Sequence, residues 1–246
     1  MRIRFQFLKL AKQEIELSKY QGDELELFEN ASNWKRYWSS KIASTRDSIG
    51  LEIGAGIGGN SAFLLPKTDA LTLCEPDEMF FQNSLEPLAH KNEKISVVLG
   101  TIEQIDGGRK FDQIYYIDVL EHIEDDKQEI TSATRHLNRN GSLYILVPAH
   151  KFLYSEFDQS VGHFRRYNRR MITDCIPSGF AITEYYCLDS LGVLASLGNK
   201  LFSRNSSVTL KKVLFWDKKL VPVSVKIDRL IGYKFGKSIL VRIEHK

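Results

Sequence analysis

Three glycines and a pair of acids carry the first chemical signal in this sequence. The stretch LEIGAGIGGN, Leu51 to Asn60, places a glycine-rich turn straight after a short apolar run. Gly54, Gly56 and Gly59 spell G-x-G-x-x-G, while Glu52 with Gly54, Gly56 and Gly58 spells E-x-G-x-G-x-G. Under either spelling the glycines keep side chains away from backbone N–H groups and a helix start, so that a ligand can approach them. Glu75 ends the apolar run LTLCEP, 21 residues after Gly54. A carboxylate there can accept both hydroxyls of an adenosine ribose. Further acids follow in FDQIYYIDVLEHIEDD: Asp118 and Glu121 stand at the end of an apolar run, and Glu124, Asp125 and Asp126 suit the positive end of a helix.

Glu52 separates the two kinds of ligand that carry such a ribose. A dinucleotide would set its pyrophosphate against the turn, where a carboxylate two residues before the first glycine repels it. S-adenosylmethionine brings an ammonium and a sulfonium, which Glu52 attracts. Bracing of the turn by Glu52, through backbone N–H bonds, is the structural alternative.

Alternating strands and helices must position these groups. Apolar runs recur at Ile49–Ile53, Ala70–Cys74, Ile95–Leu99, Phe111–Ile117 and Ser142–Val147, with helical stretches at Asp77–Ala89 and Asp125–Leu137. Such alternation predicts parallel crossovers in an open sheet covered on both faces. Asn138-Arg-Asn-Gly141 is expected to end the helix before the fifth strand, with Gly141 in the left-handed position. Ahead of the sheet, the apolar residues from Leu25 to Ile42 recur at helical spacing over about Asp23–Thr45. After Pro148 a long polar connection, AHKFLYSEFDQSVGHFRRYNRR, leads to a short helix near Met171–Cys175 and a strand at about Phe180–Leu188. Leu191 to Lys234 reads as two or three short helices, before a last strand at Ser238–Ile243. The expected organisation is one domain: a helical cap over 1–46, a cofactor-binding core over 47–189, a substrate-side helical insertion over 190–237 and the last strand over 238–246.

The 246 residues are 43% hydrophobic and 26% charged, with a net charge of +3, which is ordinary for a globular chain and too small to imply nucleic acid. Beyond Ser203, basic residues far outnumber Asp217, Asp228 and Glu244, which favours an anionic substrate or membrane face over a merely solvated surface only as a minority reading. Cys74, Cys175 and Cys187 show neither metal-ligand spacing nor a disulfide framework, and no run matches a signal peptide or a transmembrane helix. A cytoplasmic location is expected.

The order LEIGAGIGG, LCEPD, GTIEQI, YIDVLEHIEDD and a final strand near GKSILVRI resembles the class I S-adenosylmethionine-dependent methyltransferases, strongly over Ile49 to Val147. LELFENASNWKRYW, PAHKFLYSEFDQSVGHFRRY and FWDKKLVPVSVKIDRLIGYKFGKS resemble a bacterial branch with a GHxRRY motif, sometimes encoded near or fused to glycosyltransferases. The resemblance implies an α/β, Rossmann-like, seven-stranded, mostly parallel sheet with its last strand antiparallel and helices on both faces. It implies S-adenosylmethionine as cofactor. Glu52, Gly54, Ala55 and Gly56 would line its methionine end, Glu75 would hold the ribose, and Thr101 and Ile102 would flank adenine. Asp118 and Leu120 would sit near the amino acid and sulfonium. Many relatives carry an aspartate where Thr101 stands, so that contact departs from the pattern.

Methyl transfer from a sulfonium is an in-line displacement, needing a positioned acceptor and a base for a hydroxyl proton. His163, His122 and Tyr167 are the catalytic candidates; His122 has a structural or cofactor-adjacent alternative. Some relatives support a metal with a similar Glu–His pair, but no spaced ligand set is visible and no metal is expected. His150, Arg165 and Arg166 are the substrate-binding candidates. Two adjacent guanidiniums suit phosphate or carboxylate, or else ion pairs with Glu156 or Asp158. The expected reaction is methylation of a small-molecule or glycan acceptor, with O-methylation of a phosphate- or lipid-linked saccharide and peripheral membrane contact as its finer form. A non-catalytic adenosine-binding module that docks a partner or membrane is the rival, and a nicotinamide-dependent oxidoreductase ranks third. The N-P-P-[YF] signature of nucleic-acid base methylation is absent at IDVLEH.

Overall fold

A computed structural model describes residues 24–202 and 208–246. The readings made over the first 23 residues and at Arg204 lie outside that range. Two short helices come first, α1 (Glu24–Glu29) and α2 (Ser32–Ser39). Ala31, Trp34, Trp38 and Ile42 recur every three or four residues, and this stripe is buried against the sheet. The strands are β1 (Ile49–Ile53), β2 (Ala70–Glu75), β3 (Ile95–Leu99), β4 (Phe111–Ile117), β5 (Leu137–Pro148), β6 (Phe180–Leu188) and β7 (Ser238–His245).

They form one sheet in the order β3-β2-β1-β4-β5-β7-β6. The first five strands pair in parallel, and β7 runs antiparallel to both β5 and β6. This is the expected seven-stranded Rossmann-like sheet with its last strand antiparallel. Alternate residues feed opposite cores: Ile114 and Tyr116 face one, Tyr115 and Ile117 the other. The first core is covered by α6 (Asp126–Arg135) and α8 (Arg169–Cys175), the second by α2 and the helices that follow β6.

Two expectations are corrected. The helix before β5 ends at Arg135, and Gly141 lies inside β5 without a left-handed φ. Its role is close approach instead. A Cβ there would stand 3.0 Å from the carbonyl oxygens of Asn138 and Phe111, where the β4–β5 register shifts. The helix expected over Asp77–Ala89 breaks into α4 (Glu78–Phe80), a π-turn (Phe81–Leu85) and α5 (Glu86–Lys91), with Pro87 in the first turn of α5. The shorter α3 (Ser61–Leu64) follows the glycine turn, and α7 (Glu156–Ser160) lies within the polar connection.

Residues 190–237 contain α9 (Ser190–Phe202), α10 (Leu210–Phe215), a π-turn (Trp216–Leu220) and α11 (Val221–Leu230). Three fully buried aspartates fasten this stretch. Asp228 accepts bonds from the Tyr37 hydroxyl (2.8 Å) and from the N–H groups of Asp189 and Ser190. Asp189 accepts from the Trp216 indole, the Ser224 hydroxyl and the Gly192 N–H. Asp217 accepts from the Trp34 N–H and the Asn33 amide. Among the described residues no helix is long and apolar enough to cross a membrane.

Candidate active site

The turn after β1 decides between its two spellings. Gly54, Gly56 and Gly58 have positive φ, at 66°, 55° and 77°, whereas Gly59 does not. The backbone therefore needs glycine at the positions of E-x-G-x-G-x-G and not at the third position of the dinucleotide spelling. A Cβ on Gly54 would lie 2.6 Å from a methyl of Val119, so the turn and the end of β4 touch closely. Glu75 fixes the turn from β2: its carboxylate accepts the Gly56 N–H at 2.6 Å and the Asp77 N–H at 2.9 Å.

Glu52 is buried, and one of its oxygens accepts the Asn60 amide at 2.9 Å. The other has no partner among the described residues. Burial pushes its carboxyl up to about 7, against the pull of Asn60 and Lys35. Lys35 donates to the Gly59 carbonyl at 2.9 Å, and burial lowers its ammonium against the attraction of Glu29, Glu52 and Asp118. Asp118 takes a positive φ of 54°, with its side chain open to a cavity that protein encloses. That enclosure raises its carboxyl to about 6, with His163, Lys237 and Arg166 pulling the other way. Thr101 caps the turn Ile102–Gln104, and the Ile102 side chain packs in the core, leaving its backbone for any contact with adenine. Leu120 is likewise a core residue.

The cavity measures about 1110 Å³ and runs from Gly54, Asn60 and Asp118 to the helices after β6. Phe28, Trp34, Phe157 and Trp216 wall it, with Trp216 5.7 Å from Trp34 and 6.1 Å from Phe28 between ring centroids. Glu121, His122, His163, Arg166 and Lys237 line it as well. The Lys237 ammonium lies 4.8 Å from the Trp216 ring centroid.

His163 is held by Asp158, whose carboxylate accepts from His163 Nδ1 at 2.9 Å and from Arg166 Nε at 2.8 Å and Nη2 at 3.1 Å. Burial drives the Asp158 carboxyl upward, but the His163 and Arg166 bonds outweigh it and hold it well below the usual carboxylate range. His163 Nε2 is then the free ring position, 3.9 Å from Glu121 Oε1. The His122 ring meets that of His163 edge-on at 4.6 Å, and burial with His163 nearby lowers His122 to about 4.

Other candidates are drawn elsewhere. Tyr167 is fully buried, and its one hydroxyl proton is shared between Asp126 at 2.9 Å and the Leu120 carbonyl at 3.1 Å; burial and Asp126 raise it far from any base role. Arg165 pairs with Asp126 at 2.6 Å and donates to the Glu124 carbonyl, outside the cavity lining. His150 packs between Phe152 and Phe235, also off the cavity. Arg166 reaches the cavity but is bound by Asp158, the ion pair allowed as the structural alternative. Sequence reading missed site roles for Lys35, Asn60 and Lys237, and took Asp158 only as an ion-pair partner for the arginines. Lys35 alone left a signal, as a lysine on the apolar stripe of α2.

A glycine cradle, an orphaned carboxylate oxygen behind it and an acid at its mouth fit a cationic amino-acid group carried on an adenosine. Residues 51–143 match the family described as a methyltransferase domain. No curated protein matches the chain by sequence. In fold it is similar to coclaurine N-methyltransferase bound to N-methylheliamine and S-adenosylhomocysteine, at 12% identity over 87% of this chain and 72% of that one, with a TM-score of 0.57. It is also similar to an S-adenosylmethionine-dependent methyltransferase from Clostridium acetobutylicum (13% identity, 97% and 98% covered, TM-score 0.55). A third is the 1,6-didemethyltoxoflavin-N1-methyltransferase of Burkholderia thailandensis, with S-adenosylhomocysteine bound (15% identity, 98% and 89% covered, TM-score 0.58). The chain therefore carries a methyltransferase domain over residues 51–143, set in the seven-stranded, mostly parallel sheet of the class I S-adenosylmethionine-dependent methyltransferase fold.

Proposed function

We propose that the enzyme methylates a hydroxyl on a small molecule or saccharide that carries an anionic group, and that residues 190–237 form its substrate-side insertion. The carrying observation is the cavity: aromatic walls suit a ring, and Lys237 and Arg166 stand beside the Asp118 end of it. Bound at the glycine turn, S-adenosylmethionine supplies a methyl group already activated by its sulfonium. The protein has to hold the acceptor in line and receive its proton. His163, with Nδ1 fixed by Asp158, presents Nε2 for that proton; the acceptor oxygen forms its bond to the methyl carbon as the carbon–sulfur pair returns to sulfur. The GHxRRY branch belongs to this proposal, because GHFRRY supplies both His163 and the Arg166 that orders Asp158.

A lipid-linked form of the acceptor draws support from the outer side of α11. Val223, Val225 and Leu230 are exposed there beside Lys226 and Arg229, a mixed apolar and basic face that fits an anionic lipid surface. Methyl transfer to phosphorylated and unphosphorylated forms of one acceptor tests the core reading. Lys237→Met is expected to raise KM at least tenfold for the phosphorylated form alone. An unchanged KM for the phosphorylated form, or an equal rise for both forms, would overturn the anionic acceptor. Co-sedimentation with phosphatidylglycerol vesicles, abolished by Lys226→Glu with Leu230→Ser, is expected for the lipid-linked form; equal sedimentation with phosphatidylcholine vesicles would count against it.

A further inference from the structure

The polar connection brings His163 back to a pair of residues from the end of β4, and the cluster that results has no counterpart in the linear sequence. Glu121, His122 and His163 each offer one ligand atom, and these atoms lie within 4.8 Å of one another. Glu121 is 1% exposed, its Oε2 has no hydrogen-bond partner, and among the described residues its ion-pair contact is His163 at 3.9 Å. A carboxyl oxygen buried without a hydrogen bond is costly unless a proton or another positive group meets it. The guanidinium nearest by, Arg166, is engaged by Asp158.

We propose that Glu121, His122 and His163 bind a divalent first-row transition ion, with its remaining coordination positions open to the cavity. Two imidazoles and one carboxylate form a nitrogen-rich set that suits zinc, cobalt, iron or nickel and not magnesium or calcium, which take oxygen ligands. Around a shared ion with bonds of about 2.0–2.2 Å, donor atoms stand about 3 Å apart, so the cluster closes by small side-chain rotations. The outer support is already in place. Asp158 accepts from His163 Nδ1 at 2.9 Å, which leaves the Nε2 lone pair for an ion, the arrangement that orients metal-ligating histidines. The Phe164 N–H donates to the Glu121 carbonyl at 2.8 Å, which ties the two ligand-bearing segments together.

All three residues line the cavity, so an acceptor hydroxyl can complete the shell. In that state His163 no longer takes the proton. A bound ion would lower the pKa of a coordinated hydroxyl, whose proton would pass to solvent through the cavity.

Titration of metal-stripped, tag-free protein with Co2+ and with Zn2+ tests the site without any methyl acceptor, so its outcome stands apart from the proposed reaction. One ion per chain is expected, with Co2+ absorption bands of low coordination number and no comparable binding of Mg2+. Glu121→Gln, His122→Asn and His163→Gln are each expected to weaken binding at least 100-fold, and Asp158→Asn about tenfold. His90→Gln, at an exposed histidine, should leave it unchanged. Where a variant does not fold, mass spectrometry of diethyl pyrocarbonate labelling gives the same answer in the native chain: Zn2+ should protect His122 and His163. Absence of binding at micromolar Co2+ and Zn2+, equal binding in the folded variants, or labelling that Zn2+ leaves unchanged would overturn the proposal.

Discussion

Glu52 and Asp118 hold their protons more tightly than free carboxyls do, and this sets how the enzyme responds to pH. Glu52 sits near 7 against an ordinary 4.5, so the folded protein binds a proton there that the unfolded chain releases. Its share of stability is therefore intact below about pH 4.5 and is lost as pH rises through 7. Glu52→Gln should raise the melting temperature of the ligand-free protein at about pH 8 and leave it unchanged at about pH 4.5; equal shifts at both would disprove the assignment. A ligand that brings an ammonium beside these acids favours their ionised forms. Affinity for S-adenosylmethionine should rise between about pH 5 and 7 with proton release, measured by calorimetry in buffers of different ionisation enthalpy. At the neighbouring turn, Gly54→Ala places a methyl 2.6 Å from Val119 on a backbone of φ 66°. Loss of at least 2 kcal/mol of stability, roughly the sum of left-handed strain and overpacking, is expected in denaturant titration. Asp158→Asn should lower kcat about 100-fold, the usual scale of proton transfer by a positioned base, with little change in cofactor affinity.

At the level of elements, most of the sheet was legible because each strand is a short apolar run closed by a turn residue. β1, β3 and β4 have the bounds their residue pattern predicts, and β2 gains only Glu75. β5 reaches back to Leu137 because Gly141 lets the chain lie against the carbonyls near Phe111, a contact between segments that no local pattern carries. The glycines and acids of the cofactor half were readable for the same local reason. Asn60 and Lys237 were not, since each gains its role from partners on other elements, and Lys35 showed only as a lysine on an apolar stripe. Tyr167 and Arg165 had suitable chemistry at a suitable place in the chain, yet both went to fastening the GHFRRY loop onto Asp126. The aspartates that fasten the insertion are testable as a unit. Asp228→Asn removes the charge on α11 that three donors share, from α2, Asp189 and the start of α9. It should cost about 3 kcal/mol while the far-UV spectrum of the folded protein stays unchanged.

On the scale of the whole molecule, the cavity is assembled from segments far apart in the chain: the helices before β1, the edge of the parallel strands, the polar connection after Pro148 and the insertion. Phe28, Trp34, Phe157 and Trp216 meet at its wall from three of these four. The placement of β7 between β5 and β6 then has a consequence in time. Among the described residues β6 has no hydrogen-bonded neighbour in the sheet except β7, and β7 comes later in the chain than the other described strands. The cofactor half can form from its own nearby segments. The part that carries β6 and β7 has to wait, because β6 gains its strand partner only when the chain closes back from Ser238 onto Leu188 and Pro148. Refolding should therefore show an early phase in which the glycine turn is protected from hydrogen exchange. A slower phase should follow, in which β6, β7 and the helices between them become protected together.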